Sequence, residues 1–181
     1  MAHHGHASMT FTMKIILHPE QLKLTIQRLA HQLTENEIDF TRTVFIGIQP
    51  RGIKFADRII ECIRQLYPRE KVQYGKLDIT FYRDDVRREI HIANQTTIDF
   101  SVEGKTVILI DDVLYTGRTI RSALDALLDF GRPEKVALCT LIDRRFSREL
   151  PIQPDYCGWT IDSIVTQRVT VQWEQEQVIL H

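Results

Sequence analysis

The stretch Lys105–Leu127, KTVILIDDVLYTGRTIRSALDAL, decides the reading of the whole chain. It opens with an apolar, β-branched run (Val107, Ile108, Leu109, Ile110) that ends on two adjacent carboxylates, Asp111 and Asp112. A turn follows, Tyr115-Thr116-Gly117-Arg118-Thr119, and then an amphipathic segment with Ile120, Ala123, Leu124 and Leu127 on one face. The order is buried strand, acidic pair, glycine turn, helix start. A strand apolar on both faces suits the middle of a parallel sheet, whose ligands collect at the strand carboxyl ends.

Each part has a chemical reason. Backbone N–H groups of the turn, the hydroxyls of Thr116 and Thr119, and the N-terminus of the following helix together favour a phosphate. Gly117 lets the backbone approach that anion, and Arg118 adds charge. Two carboxylates just ahead of a phosphate cradle would repel the anion. They make sense if the ligand also carries vicinal hydroxyls, or a metal, one sugar length from its phosphate. Together these features describe a ribose 5-phosphate pocket.

The stretch resembles the 5-phosphoribosyl-1-pyrophosphate (PRPP) motif of type I phosphoribosyltransferases. The string DDVLYTGRT is similar in particular to the PyrR-type members. Those are uracil phosphoribosyltransferases, many of which also regulate pyrimidine genes by binding messenger RNA. The resemblance runs from about Pro19 to Val171. It implies that Leu114, Tyr115, Thr116, Gly117, Arg118 and Thr119 bind the 5′-phosphate, with Asp111 and Asp112 on the ribose hydroxyls as catalytic residues. It also implies Mg²⁺ held chiefly through PRPP oxygens near Asp111 and Asp112, not by direct protein ligation.

The bulk composition sets bounds. The 181 residues fit one domain with a sizeable core, and a net charge of −1 gives no general attraction to nucleic acid or anionic membrane. Any RNA binding must come from a local basic face. No apolar run is long enough to span a bilayer and no signal-peptide pattern opens the chain, so the expectation is a cytoplasmic protein. Cys62, Cys139 and Cys157 lack metal or redox spacing and read as buried reduced thiols. Residues 1–13, with His3, His4 and His6, read as a flexible tail rather than a metal site, leaving 14–181 as a single domain.

Along the chain, Lys14–Leu17 is a short strand, and His18-Pro19-Glu20 opens a helix whose buried stripe is Leu22, Ile26, Leu29 and Leu33. TVFIGI (43–48) is a second buried strand, followed by Gln49-Pro50-Arg51-Gly52 and a helix from about Ile53 to Leu66. This strand, turn and helix repeat the anion-binding arrangement. The resemblance implies a pyrophosphate site at Arg51 and Gly52. Val72–Phe81 has strand character and leads through DITFYRDD into a polar segment long enough to be a lid, about 82–97. By resemblance, Arg83 contacts pyrophosphate and contributes to catalysis.

KVALCTLI (135–142) is another buried strand. Strands separated by helices of ten or more residues predict an α/β fold, a doubly wound parallel sheet. From Asp143 the sequence loses its period, and about 143–168 reads as a small irregular hood. Short strands at Val169–Trp173 and Gln177–Leu180 end the chain. The segments RELPI (148–152) and PDY (154–156) resemble the hood that covers the base in the PyrR-type proteins. Asp143, Arg144, Ile161 and Val165 are the candidate base contacts.

The hood also departs from the subfamily. Arg145-Phe146-Ser147 stands for a Gly-His pair, Trp159 for a Lys, and Asp162-Ser163 for Pro-Thr. The implied reaction is uracil plus PRPP giving UMP and pyrophosphate, in a homodimer or higher homo-oligomer. Arg28 and His31 match the first-helix pattern of the RNA face, for a pyr mRNA leader, whereas Gln27, Gln153 and Trp159 replace polar or basic residues there. A rival reading is an RNA-binding attenuation regulator whose pocket only senses nucleotide. A third is a purine or orotate phosphoribosyltransferase with the same PRPP loop.

Overall fold

The computed structural model describes residues 12–35, 38–82 and 95–181. The elements in chain order are β1 (Lys14–Leu17), α1 (Pro19–Thr34), β2 (Thr43–Gln49), α2 (Ile53–Leu66), β3 (Gln73–Asp78), β4 (Thr106–Leu114), α3 (Arg118–Leu127), β5 (Lys135–Arg144), β6 (Tyr156–Ile161), β7 (Val169–Gln172) and β8 (Gln177–Leu180). Five of the strands form a parallel sheet in the order β3-β2-β4-β5-β6. The strand runs outward from β2 in one direction and from β4 in the other. The topological switch point therefore falls between β2 and β4, where the crevice at the strand carboxyl ends is expected to take a ligand.

The alternating faces of these strands explain the layers. Phe45, Ile108 and Ile110 join α1, α2 and Leu17 in one apolar cluster. Their neighbours Val44, Ile46, Val107 and Leu109 point to the opposite face, where they meet Ile120, Ala123 and Leu127 of α3. Helices on both faces are what a doubly wound sheet requires, and they bury β4 from both sides. Helix α1 begins where the His18 N–H donates to Gln21 Oε1 at 3.0 Å, with Pro19 as its first residue. Its stripe of Leu22, Ile26, Leu29 and Leu33 is buried as the spacing predicts.

Three features differ from the sequence reading. The strand expected over Val72–Phe81 stops at Asp78, whose Oδ1 accepts from both the N–H and the hydroxyl of Thr80. That local turn ends the extended run. Part of the stretch read as irregular hood is β6, the fifth parallel strand. As an edge strand it is half-exposed on both faces, so YCGWTI carries no alternation to read. The first and last strands also meet: β1, β8 and β7 form a separate antiparallel sheet. Cys139 is fully buried, whereas Cys62 and Cys157 are only partly so. No helix among the described residues is long and apolar enough to cross a membrane.

The β5–β6 contact places the hood. A Cβ built on Gly158 would lie 2.4 Å from the Leu141 carbonyl oxygen and 2.9 Å from Thr25 Cγ2. The first obstacle is backbone and cannot swing aside. Gly158→Ala is expected to lower unfolding free energy by about 1–3 kcal/mol, read as a lower urea midpoint. An unchanged midpoint would mean that β6 can drift from β5 without penalty.

Candidate active site

The acidic pair sits at the carboxyl end of the central strand, and both side chains are buried, Asp111 at 5% and Asp112 at 8% exposure. The Asp112 N–H donates to Asp111 Oδ1 at 3.0 Å, and the Val113 N–H donates to Asp112 Oδ1 at 2.7 Å. These bonds favour the ionised forms, but burial opposes them more strongly. Desolvation pushes Asp111 well above the usual carboxylate range, reinforced by the charge of Asp112, while the guanidinium of Arg51 pulls it back. Asp112 is raised for the same first reason and is also relieved by Arg51. The pair is a site of concentrated negative potential that a cationic or hydroxyl-bearing ligand would relieve.

The turn after β2 lies against this pair. A Cβ on Gly52 would lie 2.7 Å from the Ile48 carbonyl oxygen, 2.8 Å from that of Ile110 and 2.9 Å from Asp111 Oδ1. Only glycine lets the β2–α2 turn come so close to the end of β4. Arg51, beside it, is exposed. Across the turn, Gln49 Nε2 donates to the Gln95 carbonyl at 2.7 Å, and Thr97 bridges to Lys76 of β3. The returning end of the expected lid is thus tied to β2 and β3. Arg83 and most of the lid lie outside the described residues.

The phosphate-loop candidates follow directly from β4. Gly117 takes φ +93, in the left-handed region, and serves as the N-cap of α3. The Thr116 hydroxyl accepts from the Arg118 N–H at 3.3 Å. Leu114 is buried and Thr119 lies in the first turn of α3. The loop backbone is fixed from outside by the hood: the N–H groups of Glu149 and Leu150 both donate to the Thr116 carbonyl, at 2.9 and 3.2 Å. Arg118 Nε donates to Glu149 Oε2 at 2.6 Å, and Arg148 Nη1 donates to the Tyr115 carbonyl at 2.5 Å.

The base candidates divide into two kinds. Asp143 and Arg144 are buried at the end of β5, with Asp143 in an ion pair with Arg148. Ile161 closes β6 half-buried, and Val165 is exposed beyond it beside Ile164. Arg144 stacks its guanidinium 3.9 Å from the Tyr115 ring centroid. Arg28 and His31 lie on the exposed side of α1, and Arg28 Nη2 donates to the Gly158 carbonyl at 2.6 Å. The tie from α1 to the hood includes Trp159 Nε1, which donates to Thr25 Oγ1 at 3.1 Å.

Sequence reasoning left Arg148 and Glu149 out of the candidate set, yet they bond to Tyr115, Thr116 and Arg118 in the loop after β4. Nothing local in the string RELPI marks them, because their partners lie in the loop after β4. Among the described residues no group of three or more His, Cys, Asp or Glu could hold a metal ion. The two carboxylates alone fit a cation that takes most of its oxygens from a bound ligand.

The chain is similar to known proteins in sequence and in structure. A family model, the Phosphoribosyl transferase domain, matches residues 12–176. The Bifunctional protein PyrR of Elusimicrobium minutum is 46% identical over 165 residues, covering 90% of each chain. That of Brevibacillus brevis is 42% identical over 167 residues, covering 91% of this chain and 92% of its own. Among solved structures, a hypoxanthine-guanine phosphoribosyltransferase (hpt-2) from Bacillus anthracis superposes with a TM-score of 0.65 at 22% identity, covering 84% of this chain and 85% of its own. At that identity the likeness supports the fold. The sequence relatives go further, and with the PRPP-type loop at the switch point they show that the chain belongs to the phosphoribosyltransferase family, in its PyrR branch.

Proposed function

We propose that the protein transfers the 5-phosphoribosyl group of PRPP to uracil, giving UMP and pyrophosphate. The observation that carries this reading is the buried Asp111–Asp112 pair. It stands at the end of the central strand, against the Gly52 turn and directly before the left-handed Gly117 and the N-terminus of α3. Uracil as the base is supported by the hood strings RELPI and PDY and by kinship with proteins named PyrR. The same kinship makes a purine or orotate less suitable.

In this reading uracil N1 forms the new bond to C1′ of the ribose, the bond from C1′ to pyrophosphate breaks, and the N1 proton leaves to solvent. The reacting carbon passes through a cationic, oxocarbenium-like state. Catalysis is then mainly electrostatic. Asp111 and Asp112 hold the ribose hydroxyls and place negative charge beside the developing cation. The amides of Leu114–Thr119 and the α3 N-terminus hold the 5′-phosphate. Arg51, the Gly52 turn and Arg83 hold pyrophosphate, and the lid over about 82–97 excludes water. Mg²⁺, when bound, supplies positive charge on the pyrophosphate oxygens. Asp143, Arg144, Ile161 and Val165 border the base, with 143–168 as the hood of one domain spanning 14–181.

A second activity goes with PyrR kinship: UMP-dependent binding of a pyr mRNA leader, through Arg28 and His31 on α1 of a homodimer in the cytoplasm. The placement of both residues on the exposed side of α1 favours it. His31→Ala is expected to weaken binding of such a leader in a gel shift while leaving uracil turnover unchanged. Equal binding by both proteins would remove α1 from the RNA face.

Pyrophosphate release with PRPP, Mg²⁺ and each of uracil, hypoxanthine, guanine and orotate tests the main reading. Turnover is expected with uracil, falling roughly a hundredfold or more in Asp112→Asn. Turnover with another base instead, or with none while UMP still binds, would overturn it.

The pair also has a pH signature in the empty protein. The folded state keeps protons on Asp111 that the unfolded chain gives up near pH 4, so the pair's contribution to stability declines as pH rises from about 4 through the raised value. Asp111→Asn keeps an oxygen acceptor for the Asp112 N–H and removes the part of that decline due to Asp111. Urea unfolding across pH 4–7 is expected to show the variant gaining on the parent as pH rises. A constant difference would mean that Asp111 ionises normally.

A further inference from the structure

Arg144 is buried, with 5% exposure, and its hydrogen-bonding fork donates into the hood. Nε donates to Ser163 Oγ at 2.8 Å, and Nη2 donates to the carbonyls of Ile164 and Gln167 at 3.2 and 2.9 Å. The Ile164 N–H in turn donates to Gln167 Oε1 at 3.0 Å, closing the same hood turn. The guanidinium face lies 3.9 Å from the ring centroid of Tyr115, in the phosphate loop. The Tyr115 carbonyl accepts from Arg148, which is itself paired with Asp143. One planar cation therefore touches the loop after β4 with its face and the segment 163–167 with its edge. Stacking and forked donation together are properties of arginine that lysine lacks.

The geometry points to Arg144 as a positioning residue that couples the 5′-phosphate loop to the base hood, so that filling the loop orders the hood before the base arrives. This rests on the reading of Leu114–Thr119 as the phosphate loop. In this role Arg144, which borders the base, acts on its site through the hood backbone rather than through a hydrogen bond of its own to phosphate or base. It transmits the position of Tyr115 to the carbonyls of Ile164 and Gln167, next to the exposed Ile164 and Val165.

Hydrogen–deuterium exchange on the full chain, with and without ribose 5-phosphate, tests this directly, because that ligand carries no base. In the parent protein, slowed exchange is expected in both 114–119 and 161–168. In Arg144→Lys, which keeps the charge but not the fork or the stack, only 114–119 should be slowed. Kinetics should show KM for uracil rising roughly 5- to 30-fold, with KM for PRPP within about twofold of the parent. Should Arg144→Lys fail to fold, Tyr115→Leu removes the stack from the other side, and the same loss of protection at 161–168 is expected. Protection of both segments in the variant, or of 114–119 alone in the parent, would overturn the coupling while leaving the phosphate-loop reading intact. Protection of neither segment in the parent would overturn that reading and the coupling with it.

Discussion

Two adjacent carboxylates buried at the end of β4 are the constraint that most of this structure answers. Charge in a protein interior is costly unless it is paired and hydrogen-bonded. Here backbone N–H groups of Asp112 and Val113 supply the bonds, and Arg51 supplies opposite charge from the next loop. That loop approaches closely enough only because position 52 has no side chain. The central strand, flanked by β2 and β5 and covered on both faces, keeps the pair from relaxing outward. A single electrostatic requirement thus fixes residue choice at several separated points of the chain.

The hood is held differently. Its exposed apolar side chains, Phe146, Ile164 and Val165, form no core of their own. Ile152, Tyr156 and Ile161 pack on the core, and a set of arginines adds polar ties: Arg148 to Asp143 and Tyr115, Arg118 to Glu149, Arg144 to three hood partners, and Arg28 to the β6 backbone. Arginine suits this work because one rigid fork joins several acceptors across an irregular surface.

The extent to which the sequence revealed this follows from the range of each interaction. β4 and α3 were legible because their periods are local, and the acidic pair and Gly117 could be assigned from neighbours within a few residues. β6 was not, since an edge strand half-exposed on both faces has no hydrophobic alternation to betray it. The partner of Arg144 was equally hidden. Residue type indicates a donor that needs acceptors, but Tyr115 lies 29 positions earlier and Ser163 lies 19 later, and only the fold brings them together. Arg148 and Glu149 were missed for the same reason: their partners belong to the loop after β4, in a different part of the chain.

The small antiparallel sheet carries a topological implication of another kind. Lys14 pairs with Leu180, and Leu17 packs with Val178 in the core shared with α1 and α2. The fold is therefore fastened like a belt, with its first and last strands forming the buckle. β1 has a hydrogen-bonded neighbour on one side only, so its place depends on β8. Without β8, β1 would lose its hydrogen-bonded neighbour and the apolar stripe of α1 behind it would lose the cover of Val178. Closure of the main core is thereby tied to a pairing between strands far apart in the sequence.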